Sequence, residues 1–237
     1  MSVIWHDLEC GTYTEDLGLW RELADAHGDP VLEVGSGTGR VALELARAGH
    51  RVTALDQDAE LLAELARRAD GLPVATVVAD ARRFELEQRF ALCIVPMQTI
   101  QLLGASEGRK AFLGSVRAHL GAGGVVAIAI TEELEPFEIE AGFPAPLPDI
   151  CELDGVVYSS QPTAVRVGAH GFVLERRREV VGTGGSHTET RDVIHLDRIT
   201  ATQLEREAAE VGLRRNGRGT VPETRDYVGS EVVILSE

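Results

Sequence analysis

Short apolar runs alternate in the first half of the chain with longer stretches whose apolar residues recur every three to four positions. The runs are Val31–Val34, Arg51–Leu55, Val74–Val78, Phe90–Val95 and Val125–Ile130. Each is bounded by turn residues and predicts a buried strand. Between them, Leu17, Trp20, Leu23 and Ala24 share one face of a helix from about Thr14 to His27, which Gly28 ends. Val41, Ala42, Leu45 and Ala48 define a second helix, closed by Gly49. Leu61, Leu62, Leu65 and Ala69 define a third. Phe112, Val116 and Leu120 define a fourth, stopping at Gly121-Ala122-Gly123-Gly124. Strands alternating with helices at this spacing predict a doubly wound α/β fold: a mostly parallel sheet with helices on both faces.

After Thr131 the pattern changes. Glu132–Asp149 is rich in Pro and Glu and reads as a loop with one helical turn. Val156–Ser160, Ala164–Val167, Phe172–Val181 and Thr188–Leu196 then read as short strands, with glycine turns at 168–171 and 182–185. This is an antiparallel β insertion between strand five and the last helix. Thr200 predicts an N-cap for the helix Ala201–Val211, with Gln203 as its capping-box partner. Leu213–Arg218 and Tyr227–Leu235 predict the last two strands. The chain is thus read as a single domain over 1–237. A core spans 14–131, an antiparallel insertion or lid 132–199, and the last helix and two strands 200–237.

The formal charge of −15 disfavours a nucleic-acid partner, because an acidic surface repels phosphate backbones. Arg176-Arg177-Arg178 reads as a solvated strand face rather than a phosphate site. No apolar run is long enough to span a membrane. The N-terminus lacks the basic start and apolar stretch of a signal peptide, so a cytoplasmic protein is expected. Cys10, Cys93 and Cys151 are too few and too scattered for a disulfide framework, and Cys93 sits in an apolar run. The histidines show no metal-ligand spacing, and no metal is expected.

The candidate chemistry lies at the strand ends. Gly35, Ser36, Gly37, Thr38 and Gly39 follow strand one and open a helix. Glycine there permits positive φ and close ligand approach, and a helix N-terminus offers N–H groups. The loop is ambiguous by itself, since Gly37-Thr38-Gly39-Arg40-Val41-Ala42 also satisfies the G-x-G-x-x-A dinucleotide fingerprint. Glu33, Asp56 and Asp80 sharpen it, because they fall near the ends of three successive strands. Asp56 can accept hydrogen bonds from ribose hydroxyls, while Asp58 serves as the cap of the next helix. Asp80 can accept from an exocyclic adenine amine.

Glu33-Val34-Gly35-Ser36-Gly37-Thr38-Gly39, followed by Asp56 and Asp80, resembles the class I S-adenosylmethionine-dependent methyltransferases of small-molecule type. The resemblance implies a seven-stranded sheet whose last strand, Tyr227–Leu235, is antiparallel. It implies S-adenosyl-L-methionine as cofactor, with S-adenosyl-L-homocysteine as product. Glu33 would lie near the amino end, with Gly35, Ser36, Gly37 and Gly39 backing the methionine and ribose. Asp56 would hold the ribose, Gln57 lie beside the adenine, and Asp80 and the Ala81 N–H meet the base. Val95 and Met97, on the stretch after strand four, would face the methionine half. Tyr13 would cover the methionine end, and Tyr158 would line the acceptor pocket. The stretch Pro96-Met97-Gln98 is not the N-P-P-Y that several members use for amino groups of nucleobases or glutamine. Phe90-Ala91 stands where many members carry Phe-Asp.

The expected reaction is in-line displacement of the sulfonium methyl by a small-molecule acceptor. The catalytic residues are open; His187, His195 and Gln98 are the polar candidates. The insertion's strand edges offer a surface for a homodimer. Two other readings compete: a nicotinamide-dependent oxidoreductase, from the dinucleotide fingerprint, and a non-catalytic cofactor-binding or dimerisation module.

Overall fold

The computed structural model describes residues 2–139, 145–224 and 227–237. The chain divides into two compact units. One comprises Val3–Thr12 and Glu133–Arg198, the other Ser2, Tyr13–Glu132 and Ile199–Glu237.

The larger unit is a seven-stranded sheet. Its strands are β1 (Val31–Val34), β2 (Val52–Asp56), β3 (Val74–Val78), β4 (Phe90–Val95), β5 (Leu120–Ile130), β11 (Arg214–Val221) and β12 (Ser230–Ser236). Their spatial order is β11-β12-β5-β4-β1-β2-β3. The pairs β1–β2, β1–β4, β2–β3 and β4–β5 are parallel, and β12 is antiparallel to both β5 and β11. The predicted sheet and its reversed final strand are both present.

Helices cover both faces because the strands are apolar on both sides. On one face α2 (Leu17–His27), α3 (Arg40–Arg47) and α4 (Ala59–Arg68) pack Trp20, Ala24, Val41, Leu45, Leu62 and Leu65 against Val31, Ala54 and Leu92. On the other, α5 (Ala105–His119) and α6 (Ala201–Glu210) pack Phe112, Val116, Leu204 and Ala208 against Leu32, Cys93 and Val126. Cys93 is fully buried, and burial pushes its thiol up. Asp58 caps α4 by accepting from the amides of Glu60 and Leu61.

Several boundaries differ from the pattern-based reading. β3 is the sheet edge rather than a buried strand, and Val78 is 59% exposed. β5 begins at Leu120, immediately after α5. Phe90 pairs with Leu120 and Leu92 with Val125, so residues 121–124 bulge opposite Ala91. The glycines read as a helix stop are therefore part of the strand. Thr200 caps α6 through the Gln203 amide, but the Gln203 side chain runs forward to Glu207 and does not close a capping box.

The smaller unit is an antiparallel sheet of β6 (Phe137–Glu138), β7 (Asp149–Leu153), β8 (Val156–Val167), β9 (Gly171–Val181) and β10 (His187–Asp197), in the order β10-β9-β8-β6 with β7 also on β8. The two runs read as separate strands before Gly168 are one strand, β8, with an irregularity between Pro162 and Ala164. The helical turn expected within 132–149 is not present among the described residues, and part of that stretch lies outside them. A helix not anticipated from the pattern, α1 (Ser2–Cys10), belongs to this unit and buries Trp5 and Leu8.

The arginine run lies on β9 and is ion-paired. Arg178 meets Glu9 and Asp192, Arg176 meets Asp149, and Arg177 meets Gln161 and Glu179. Among the described residues no helix is long and apolar enough to cross a membrane, and no cluster of His, Cys, Asp and Glu is arranged to hold a metal.

Candidate functional site

The site is built where β1, β2 and β3 end. β1 and β2 run in register from Val31–Val52 to Val34–Leu55, and the chain then turns through Gly35 to Gly39 into α3. Gly35, Gly37 and Gly39 have φ of 75°, 52° and 92°. A Cβ on Gly35 would lie 2.5 Å from Thr99, and one on Gly39 2.1 Å from Leu65. The loop therefore requires glycine for conformation and for space.

The loop's amides, expected to be unpaired, are bonded within the protein. Gly35 and Ser36 donate to the Leu55 carbonyl at 2.8 and 3.2 Å, and Gly39 to the Ser36 carbonyl at 2.8 Å. Gly37 donates to Asp56 Oδ2 at 2.8 Å. Asp56 Oδ1 accepts from the Asp58 amide at 3.0 Å. Two backbone donors thus fix the Asp56 carboxylate at the end of β2, with lone pairs remaining for hydroxyl donors.

Glu33 and Ser36 are the polar residues the fold leaves incomplete. Glu33 is 2% exposed and Ser36 3% exposed. Glu33 Oε2 and Ser36 Oγ have no hydrogen-bond partner among the described residues. Burial pushes the Glu33 carboxyl up to about 8, opposed by Arg40 and reinforced by Asp16 and Asp56. Native interiors rarely leave such atoms bare, and those that remain call for a ligand or water.

Asp16 and Arg40 form the wall beside Glu33. Arg40 Nη1 donates to Asp16 Oδ1 at 2.5 Å and to the Tyr13 carbonyl at 2.8 Å; Nη2 donates to Asp16 Oδ2 at 2.8 Å. Trp20 Nε1 also donates to Asp16 Oδ2. The Arg40 guanidinium lies 4.9 Å from the Tyr13 ring centroid, and Tyr13 packs against Tyr227. Burial, with the nearby Asp16 charge, pushes the Tyr13 hydroxyl up to about 12, so it stays protonated. Sequence reasoning named Tyr13 but missed Asp16 and Arg40. Arg40 lies inside the fingerprint, one residue past the last glycine, and that position was the available signal.

Asp80 follows β3 and is half-buried. Its carboxylate accepts from the Arg82 amide at 2.9 Å and from the Arg82 guanidinium at 2.6–3.1 Å. Ala81 sits in this turn, and Gln57 is exposed beside Asp56. After β4, Val95 is fully buried, whereas Met97 is half-buried with φ of 54°. Gln98 Nε2 donates to Thr131 Oγ1 at 3.0 Å. Gln101 is wholly engaged with the Thr131 backbone and acts as a brace between this turn and β5.

The two histidine candidates lie far apart on one strand. His187 and His195 both lie on β10, exposed, eight residues and therefore ~27 Å apart. His187 is held by Glu179. Tyr158 packs edge-on against Trp5, with ring centroids 5.7 Å apart.

A glycine turn between β1 and α3 is flanked by acids at the carboxyl ends of a doubly wound sheet, the region where open α/β sheets generally bind ligands. Residues 31–124 match the family model described as a methyltransferase domain. Over 108 residues the chain is 31% identical to a cypemycin N-terminal methyltransferase from a Streptomyces species, covering 46% of this chain and 44% of that relative. The chain thus spans less than half the length of the curated relatives it matches. The CcbJ methyltransferase from Streptomyces caelestis superposes with TM-score 0.68 and 21% identity, covering 94% of this chain and 89% of that one. A SAM-bound amino pentose methyltransferase from Micromonospora echinaspora, involved in calicheamicin biosynthesis, gives TM-score 0.69 and 21% identity, covering 98% and 94%. Residues 31–124 thus resemble a methyltransferase domain, and the chain shares the fold of these methyltransferase structures.

Proposed function

We propose that this protein binds S-adenosyl-L-methionine at the carboxyl ends of β1–β3 and transfers its methyl group to a small-molecule acceptor. The observation that carries the reading is the pair of bare buried atoms, Glu33 Oε2 and Ser36 Oγ, beside a glycine loop whose amides are already bonded. A pyrophosphate site needs loop amides aimed at the ligand. Here the amides of Gly35, Ser36, Gly37 and Gly39 are spent internally, which disfavours the nicotinamide reading despite its fingerprint. A buried carboxyl with an open acceptor oxygen suits an ammonium group instead.

In this reading Glu33 and Ser36 take the amino-acid end, and Asp56 accepts from the ribose hydroxyls. Asp80 accepts from the adenine amine, with Ala81 and Gln57 alongside. Gly35, Gly37 and Gly39 give the backbone its close approach, while Tyr13, Val95 and Met97 border the methionine half. The cofactor supplies an electrophilic methyl on a sulfonium centre. The chain's contribution is to orient the acceptor and exclude water, since positive charge on sulfur is lost as the bond forms. In this reading Gln98, on the turn after β4, orients the acceptor. We assign no general base to His187 or His195.

The reading extends to a cytoplasmic protein, supported by the absence of a disulfide at Cys10, Cys93 or Cys151. It also extends to a homodimer through the β insertion, supported by exposed Ile150 and Val193 on its strands. Thermal shift with S-adenosylhomocysteine and with NAD(H) tests the cofactor. Stabilisation by S-adenosylhomocysteine is expected; stabilisation by NAD(H) alone would overturn the assignment. A gain of one methyl mass on any member of a metabolite panel tests the transfer itself.

A further inference from the structure

We propose that Glu33 carries a proton while the amino-acid end of the site is empty and surrenders it when an α-ammonium group is bound, so that cofactor capture releases a proton. The proposal rests on the methyl-donor reading above and adds a linkage to it.

The geometry makes the case. Glu33 is enclosed, and one of its two oxygens has no donor. An ionised carboxylate left this way is strongly disfavoured in a dry interior. The groups facing it do not offset that cost. From α3 come the Arg40 guanidinium and the Ala42 amide, from the start of α2 comes Asp16, and from β2 comes Asp56. Arg40 is committed to Asp16 through both terminal nitrogens and to the Tyr13 carbonyl. Asp16 therefore already balances the one guanidinium in this set, and Asp56 adds a second negative charge. Charging Glu33 as well would place three carboxylates against one cation. Burial pushes its carboxyl in the same direction.

An incoming α-ammonium reverses the balance. It brings one positive charge and N–H donors that fill the bare Oε2. The exchange balances: a neutral carboxyl and an ammonium become a carboxylate–ammonium pair, and the carboxyl proton leaves to solvent. Binding and proton release are then linked, so affinity for the amino-acid end rises with pH over the range where Glu33 is protonated when empty.

The test is calorimetric titration of the intact protein with S-adenosylhomocysteine in two buffers of different ionisation enthalpy, phosphate and Tris, at neutral pH. About one proton released per site is expected, with the dissociation constant falling by up to ~10-fold per pH unit between about pH 6 and 7.5. 5′-Methylthioadenosine, which lacks the amino-acid end, should bind without proton release. Glu33→Gln, whose amide imitates the neutral carboxyl, should abolish the release and flatten the pH dependence. Binding of S-adenosylhomocysteine with no buffer-dependent heat overturns the proton coupling alone, and so does equal release with methylthioadenosine. Failure of both nucleosides to bind overturns the methyl-donor reading, and the coupling with it.

Discussion

Arg109 of α5 and Glu207 of α6 form a two-pronged ion pair, Nε–Oε2 and Nη2–Oε1 both at 2.8 Å, with side chains only 3% and 6% exposed. It joins two helices 98 residues apart in sequence on the same face of the sheet. Burial alone would raise the Glu207 carboxyl, but Arg109 more than reverses this and holds it below the usual carboxylate range. A depressed folded-state value adds stability above the unfolded carboxylate range, near pH 4.3, and that stability is lost as pH falls through the folded value. Arg109→Met leaves Glu207 buried without its charge partner. About 3–5 kcal/mol of destabilisation is expected in urea unfolding. The double variant Arg109→Met, Glu207→Leu should recover most of it. A double variant as unstable as the single one would show that the helices depend on the charges themselves.

Glu33 has the opposite sign. Its folded-state value, raised to about 8, means that the folded protein holds a proton the unfolded chain has lost from about pH 4.5 upward. Stability of the ligand-free protein should therefore fall as pH rises through that window and level off above about pH 8. Glu33→Gln removes this slope. At pH 8.5 the variant should melt on the order of 10 °C above the parent, since the raised value corresponds to ~4–5 kcal/mol and each ~1 kcal/mol moves the midpoint ~2–4 °C in a chain of this size. At pH 4.5 the two should melt together. A variant less stable at both values would mean that the carboxylate is held in the folded state by partners not identified above.

The glycine loop permits a controlled separation of strain from crowding. Gly39 and Gly49 both have positive φ, 92° and 101°, yet an added Cβ meets Leu65 at 2.1 Å at the first and open space at the second. Gly49→Ala should cost only the left-handed conformation, ~1–2 kcal/mol. Gly39→Ala should add an overpacking cost of ~1–3 kcal/mol as Leu65 is displaced. Paired urea titrations measure the difference. Equal losses would show that α4 yields freely and that the loop's glycine is a matter of conformation alone.

These contrasts also show what could be read from the chain itself. β4 was delimited by an unbroken apolar run, and Asp56 by its place at the end of the run from Val52 to Leu55. Whole-sheet position was not legible. Val74–Val78 is as rich in valine as a central strand, and only the absence of a further neighbour makes it an edge. Helix α1 was missed because Trp5 and Leu8 are too few to set a helical period, and its sheet-facing contacts come from residues more than 140 positions away. At the site, Glu33 was found by its place beside the glycines. Asp16 and Arg40 were not, because their pairing spans 24 residues and depends on how α2 is laid against α3.

The same reasoning governs α1, whose attachment rests on Glu9. Its Oε1 accepts from Arg178 Nε and Ser160 Oγ, and its Oε2 from Arg178 Nη2, all at 2.7 Å; Trp5 stacks on the same guanidinium. Burial alone would raise the Glu9 carboxyl, but Arg178 and Ser160 outweigh it and hold it below the usual range. The contribution is thus present above the unfolded carboxylate value and lost as pH falls through the folded one. Because the bonds tie a helix to a sheet rather than a strand into it, their loss should free α1 before the sheet opens. Hydrogen exchange resolved to residues 2–10 checks this. In the parent, α1 should be protected at pH 7 and lose protection below about pH 4. Glu9→Gln should lower its protection at pH 7 while β8 and β9 stay protected. Simultaneous loss of α1 and the β8–β9 pair would show instead that the helix and sheet unfold as one unit.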